Sequence, residues 1–357
     1  MGDGSARMPR GRRAAAARPV APPAAKAPAA KGPAPRWSES RHYAALDLGT
    51  NNCRLLIARP QGAGFAVIDA FSRIVRLGEG LATTGRLSDA AIERTLAALR
   101  ICADKLKRRN VALARSVATQ ACRQAENGAE FIDRAYRETG IALDIITAEE
   151  EARLAVLGCH ALLEPGDGPA LVFDIGGGST ELVLVDSHAP VPHILDWHSA
   201  PWGVVSLSEA TGQSKAVTAD ARAAAYADMR ARVRESFAPF VARLRTPKGT
   251  RRLLGTSGTV TTLASVHLGL ASYDRSAVDG LIVPSAAMRA VSQNIAGMSI
   301  RQRAQVPCIG NERADLVVAG CAILETILDI WPAERLGIAD RGIREGILRR
   351  LIGGAPL

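Results

Sequence analysis

From residue 43 onward the chain alternates between short apolar runs of strand length and longer stretches with helical spacing. Tyr43–Leu48, Cys53–Arg59 and Phe65–Val75 read as successive strands joined by Gly/Asn turns. Ser88 then caps a helix to about Arg109, with Ile92, Leu96, Leu99 and Leu106 on one face. Val111–Thr119 is strand-like, short helices follow around Cys122–Asn127 and Ala129–Thr139, and Leu143–Thr147 is another strand. A helix from Ala148 to about Leu163 opens on Glu149-Glu150-Glu151. After the turn-rich segment Pro165–Pro169 the plan begins again. A strand hairpin around residues 170–185 and a strand His193–Ser199 come first, then a helix from about Ala219 to Leu244 and a strand Arg252–Gly255 running into a turn and helix. A helix Glu312–Ile330, a strand Leu336–Ala339 and a closing helix Ile343–Leu351 complete the pattern. Strands alternating with helices predict an α/β fold, and its repetition predicts two similar domains.

The repetition is sharpest in two segments, LDLGTNNCRLLIA at residues 46–58 and FDIGGGSTELVLV at residues 173–185. Each is an apolar strand ending at an aspartate, a turn of small and hydroxyl residues, and a second apolar strand. In the second copy Gly176, Gly177 and Gly178 let backbone N–H groups approach an anion closely, and Ser179 and Thr180 add hydroxyl donors. Asp174 and Glu181 bracket that loop, and a hairpin brings them together; two carboxylates beside a phosphate cradle suit a hydrated magnesium ion. In the first copy Asp47, Gly49, Thr50 and Asn51 form the turn, and Arg54 offers a planar fork for phosphate. There is no GxxxxGK[ST] loop. A third turn, Gly255-Thr256-Ser257-Gly258, precedes a helix and is an anion or nucleotide site as readily as a simple cap. Arg123 lies just after a strand, where it can present a guanidinium to a cleft, and Asp340–Gly346 sits where the last strand meets the last helix. Of the three consecutive glutamates, one can orient and deprotonate an attacking water, while acids at a helix start also serve simply as dipole partners. Periodicity does not say which of the three it is.

Composition narrows the partners. The net charge of +10 is concentrated at the start: nine basic residues against Asp3 and Glu39 give residues 1–41 a charge of +7. That Ala/Pro/Gly-rich stretch has no periodicity and is expected to be a disordered tail. It lacks the continuous apolar segment of a secretory signal. Aromatic residues make up 4% of the chain, too few for a stacking surface, so nucleic acid is not an expected partner. The most apolar helical run, Leu316–Trp331, is interrupted by Glu325 and Asp329, and no membrane span is expected. The six cysteines show neither CxxC nor zinc spacing and fit buried thiols in a reducing cytoplasm.

Together the motifs YAALDLGTNNCRLLIA, ATQACRQA, EEEARLAVLG, VFDIGGGSTELVLV, LLGTSGTVTTLA and DRGIREGIL resemble the exopolyphosphatase/guanosine-pentaphosphatase family of the actin-like ATPase superfamily, over nearly all of residues 43–352. The two phosphate loops alone fit sugar kinases and actin-like chaperones as well; the EEEARL element separates this family from them. The resemblance implies two ribonuclease-H-like domains around an interdomain cleft, residues 43–165 and 166–357, after a disordered tail over 1–42. The last helix would be free to pack back on the first domain. By the same resemblance Glu151 is the catalytic base, Asp174 and Glu181 hold Mg2+ or Mn2+, and Asp47, Thr50, Asn51, Arg54, Arg123 and Gly176–Thr180 bind phosphate. The implied reaction is hydrolysis of the terminal phosphoanhydride of inorganic polyphosphate, with guanosine pentaphosphate as the alternative substrate. An ATP-dependent kinase and a non-catalytic polyphosphate or nucleotide sensor are the readings from other classes. A homodimer is left open. The sequence ends soon after the second domain, so a short form without the helical extensions of the long members, and with less grip on long polymers, is expected.

Overall fold

The computed structural model describes residues 1–3, 41–186, 192–244 and 250–353. The tail expected over residues 1–42 falls, apart from its first three and last two residues, outside them. Two sheets organise the rest. The first is built from β1 (His42–Leu48), β2 (Asn52–Gln61), β3 (Gly64–Ile74), β4 (Val111–Ala118) and β5 (Leu143–Ile145), in the order β3-β2-β1-β4-β5. β1–β2 and β2–β3 are antiparallel hairpins, whereas β4 and β5 join in parallel through helical crossovers. The second contains β6 (Pro169–Ile175), β7 (Thr180–Asp186), β8 (His193–Ala200), β9 (Arg252–Thr256), β10 (Ile282–Pro284) and β11 (Arg335–Ala339), in the order β10-β11-β9-β6-β7-β8. Apart from the antiparallel edge strand β10, it repeats the first: three antiparallel strands, then two added in parallel. The duplication visible in two loops is therefore a duplication of whole sheets, in the ribonuclease-H-like order of actin-like ATPases.

Helices cover the sheets where the strands are apolar on both faces. One face of the first sheet packs on helix Asp89–Arg108, whose Ile92, Leu96, Leu99 and Cys102 join Leu46, Leu55 and Ile57. The opposite face is closed from a distance in sequence. Ile343, Ile347, Leu348 and Leu351 of the last helix, Ile343–Gly353, pack on Tyr43, Ala45, Leu56 and Val117. Helix Ala148–Cys159 serves both sheets at once. Its Leu154 and Ala155 join that cluster, while Ala152, Val156 and Cys159 pack on Ala170, Val172, Val183 and Leu254 of the second sheet. Two glycines allow the two helices to cross closely. A Cβ on Gly158 would overlap the carbonyl oxygen of Gly342, and one on Gly346 would overlap that of Leu154. The largest core lies behind the second sheet, around Phe173, Phe237, Phe240 and the buried helix Val317–Ile330. The helix expected over Glu312–Ile330 is two pieces, Gly310–Arg313 and Val317–Ile330, and the break turns Arg313 toward the site.

Both sheets lie within one compact unit, Trp37–Leu357. All six cysteines are free, and five of them are buried. Among the described residues no helix is long and apolar enough to cross a membrane.

Candidate active site

Strand pairing sets the chemistry of the two hairpins. In the first, β1 and β2 place Asp47 opposite Arg54; in the second, β6 and β7 place Asp174 opposite Glu181. Each turn is closed by the same backbone bond, Gly49 N–H donating to Asn52 O at 2.9 Å and Gly176 N–H to Ser179 O at 3.0 Å. The turns meet head-on. A Cβ on Gly177 would stand 3.0 Å from Thr50 Cβ and 3.1 Å from Asn51 N, and one on Gly178 would stand 2.6 Å from Thr50 Oγ1. Glycine is needed there because another backbone approaches, which is why the second loop is richer in glycine than the first.

Around this junction lies a cavity of about 140 Å³. Asp47, Gly49–Asn52 and Arg54 form one wall, Asp174–Ser179 and Glu181 another, and Glu151 with Gln120 closes one side. Thr256–Thr259, Thr262, Arg313, Leu316, Val317 and Asp340–Arg344 complete it. The third turn is held rigidly: Thr256 Oγ1 donates to Arg341 O, Gly342 N–H donates to Glu345 Oε2 at 2.9 Å, and Arg341 Nε donates to Asp279 Oδ2 at 2.8 Å. Ser257 has φ 119°, a left-handed conformation that costs a non-glycine residue about 1–3 kcal/mol and marks a constrained turn. Outside the cavity Arg76 ties the halves together, pairing with Asp315 at 2.8 Å, and Gly80 N–H donates to Glu209 Oε1 at 2.8 Å.

The three glutamates part company on the helix. Thr147 caps it, its Oγ1 accepting from Glu150 N–H at 3.2 Å. Glu149 pairs with Arg153 one turn on, near the surface, and Glu150 pairs with Arg115 and Arg350. Glu151 is 7% exposed and lines the cavity. Arg123 Nη2 donates to its Oε2 at 3.1 Å.

Four carboxyl groups therefore crowd one buried space, and all four are harder to ionise than usual. Burial pushes Asp174 up to about 7, with Glu181 and Asp47 adding repulsion and Arg54 opposing it. Burial likewise raises Glu151, reinforced by Glu181 and opposed by Arg123. Asp47 is raised by burial against the pull of Arg54 and Arg344, and Glu181 is raised by burial although Ser179 and Ser199 hydrogen-bond it. Like charges directly opposite on paired strands destabilise a hairpin unless a cation intervenes. The donor set suits a hard divalent ion: Asp47 Oδ1, Thr50 Oγ1 and Asn51 Oδ1 are buried oxygens without a hydrogen-bond partner. Among the described residues no three His, Cys, Asp or Glu side chains come close enough together to cage a metal. The fit is thus to an ion held by one or two carboxylates with water and substrate oxygens completing its shell, the habit of magnesium.

Of the residues singled out from sequence, Asp47, Gly49, Thr50, Asn51, Arg54, Glu151, Asp174, Gly176–Ser179, Glu181 and Thr256–Gly258 all line this one cavity. Three do not. Thr180 is fully buried and its hydroxyl donates to Trp202 O at 2.7 Å, because it neighbours Glu181 on a strand and must face the other way. Gly255 precedes Thr256 in the same fashion and lies under the Phe173 ring, where a Cβ would overlap. Arg123 stands behind Glu151, its guanidinium engaged by Gln120 Oε1, Ile146 O and Glu151. Conversely Gln120, Thr262 and Arg313 line the cavity without having been singled out; Arg313 donates to Thr262 Oγ1 at 2.6 Å.

The cleft thus lies between duplicated sheets of ribonuclease-H-like strand order, walled by glycine- and hydroxyl-rich turns, carboxylates and arginines. The model of the Ppx/GppA phosphatase family matches residues 56–353, and the chain belongs to that family. It is 34% identical over 326 residues to exopolyphosphatase 2 of Mycobacterium tuberculosis, covering 87% of this chain and 98% of that one. It is 32% identical over 321 residues to the guanosine-5'-triphosphate,3'-diphosphate pyrophosphatase of Aeromonas salmonicida, covering 87% of this chain but 59% of that protein. The crystal structure of the Aquifex aeolicus Ppx/GppA member superposes with a TM-score of 0.70 at 28% identity, over 89% of this chain and 99% of that one.

Proposed function

We propose that this protein is an exopolyphosphatase, releasing orthophosphate from the end of an inorganic polyphosphate chain. Residues 43–165 and 166–357 would form the two halves of its cleft. The observation that carries the reading is Glu151: a buried carboxylate facing a cavity walled by two phosphate loops. The terminal phosphoryl group would rest against the N–H groups of Gly177–Ser179 and of Thr50 and Asn51, with Arg54 supplying fixed positive charge. Glu151 would accept a proton from water as the water oxygen bonds to the terminal phosphorus, in line with the bridging oxygen. The bridging P–O bond breaks, and the shortened chain leaves with that oxygen. Asp174 and Glu181 would hold Mg2+ or Mn2+, which when bound offsets charge on the phosphate oxygens. The names of the M. tuberculosis and Aeromonas relatives support a phosphoanhydride hydrolase in either reading of the substrate.

One observation favours guanosine pentaphosphate as a second reading. Leu316 and Val317 bring an apolar patch to the cavity, which a bare phosphate chain does not need and a nucleoside can use. Phosphate release from polyphosphates of defined length and from guanosine pentaphosphate, side by side and with and without magnesium, tests both. No magnesium-dependent release from either would refute the assignment.

A further inference from the structure

We propose that Arg123 is a positioning residue for Glu151 and not a ligand of the substrate phosphate. The inference rests on the hydrolase reading above and adds to it how its base is held.

Arg123 sits in the short helix Gln120–Gln124, directly after β4. Four of its five N–H donors are already committed. Nη1 donates to Ile146 O at 2.6 Å, at the end of β5; Nε and Nη2 donate to Gln120 Oε1 at 3.2 and 2.7 Å; and Nη2 also donates to Glu151 Oε2 at 3.1 Å. The guanidinium is thereby locked in its own plane by a backbone carbonyl and a neighbouring amide. Arg123 is absent from the lining of the cavity, whereas Gln120 and Glu151 on either side of it are present. A phosphate ligand in the usual bidentate mode needs a pair of free donors aimed into the cavity, and four of this side chain's five are aimed at the protein.

What the arrangement provides is a fixed Oε2, leaving Oε1 of Glu151 without a protein partner among the described residues and available to a water. The fork also brings the positive charge set against the two carboxylates, Glu181 and Asp47, that face Glu151 from β7 and β1. The remaining charges on its own helix point elsewhere, Glu149 to Arg153 and Glu150 to Arg115 and Arg350. A misplaced base costs about 100-fold in rate, so that is the loss a positioning residue should show.

The test is a double-mutant cycle between Arg123→Met and Glu151→Gln, read by phosphate release, together with orthophosphate binding by calorimetry. Arg123→Met alone should lower kcat about 100-fold with KM and orthophosphate affinity within about twofold of wild type. In the Glu151→Gln background it should cost no more than about twofold, because its effect passes through Glu151. Arg123→Lys, which keeps the charge and loses the fork, should recover part of the rate. Gln120→Ala removes the brace but leaves the arginine, and should lower kcat without raising KM even if the Met variant does not fold. A rise in KM with orthophosphate binding weakened about tenfold or more, kcat being retained, overturns the proposal, as does full additivity with Glu151→Gln. If wild type releases no phosphate from either substrate, the proposed function falls instead. Orthophosphate affinity then decides alone: loss in Arg123→Met refutes the positioning role, and retention supports it.

Discussion

Asp174→Asn removes one of four crowded carboxylates while keeping its shape, and its effect on stability can be worked out. With Asp174 raised from 3.8 to about 7, the shift is about three units. At about 1.36 kcal/mol per unit this corresponds to about 4 kcal/mol. The direction follows from proton binding. Between those two values the folded chain holds a proton that the unfolded chain has lost, so stability is full below about pH 4 and is lost as pH rises toward 7. Metal-free wild type should therefore lose Tm between about pH 3 and 8, and over that range the asparagine variant should lose about 4 kcal/mol less. For a chain of this size that is about 6 °C, from a typical unfolding entropy of about 2.1 cal/mol/K per residue. The assay is thermal denaturation in EDTA across that range, repeated with magnesium. Magnesium should remove most of the wild-type slope, since a bound cation favours the ionised form, and should do less for the variant. Parallel Tm–pH curves for the two proteins in EDTA would refute the idea that Asp174 is held in a repulsive, desolvated cluster.

Three further outcomes follow from the same geometry. Glu151→Gln should keep the fold and orthophosphate binding while turnover falls about 10²- to 10⁴-fold, the usual contribution of a general base; near-wild-type phosphate release would exclude that role. Arg54→Met should raise KM by about 10- to 100-fold, equivalent to a charge-assisted hydrogen bond of about 1.5–3 kcal/mol, with initial-rate kinetics as the check. Gly346→Ala should cost about 1–3 kcal/mol in urea denaturation, because the new methyl meets the Leu154 carbonyl and cannot displace it cheaply.

Much of this site is legible in the chain because hairpins obey simple rules. An aspartate at the end of a strand, followed by a tight turn, fixes which residue returns opposite it, so Asp174 and Glu181 pair by arithmetic. The same period-two rule places the Thr180 side chain: if Glu181 faces the cleft, its neighbour points the other way. Gly255 and Thr256 obey it too. Side-chain direction on helices was harder to read. Nothing in three consecutive glutamates separates Glu151 from its neighbours until Arg153, Arg115 and Arg350 are seen to take the other two. Arg123 looked cleft-facing from its position after a strand, but partners remote in sequence, Ile146 and Glu151, turn it inward. Arg313 was hidden by an apparently continuous helix whose break at Ala314–Leu316 has no glycine or proline to announce it.

The helix Ile343–Gly353 has a consequence for how the molecule is made. Tyr43, Ala45 and Leu56 leave the ribosome among the first residues of the fold, yet the side chains that bury them, Ile347, Leu348 and Leu351, are among the last. Until then that face of the first sheet is covered only in part, by Ile146, Leu154 and Ala155, a delay that exposes apolar surface to aggregation and to chaperones. Closing that face thus depends on a helix far along the chain, and since Asp340–Arg344 also wall the cavity, a chain synthesised only as far as Ala339 lacks part of that wall.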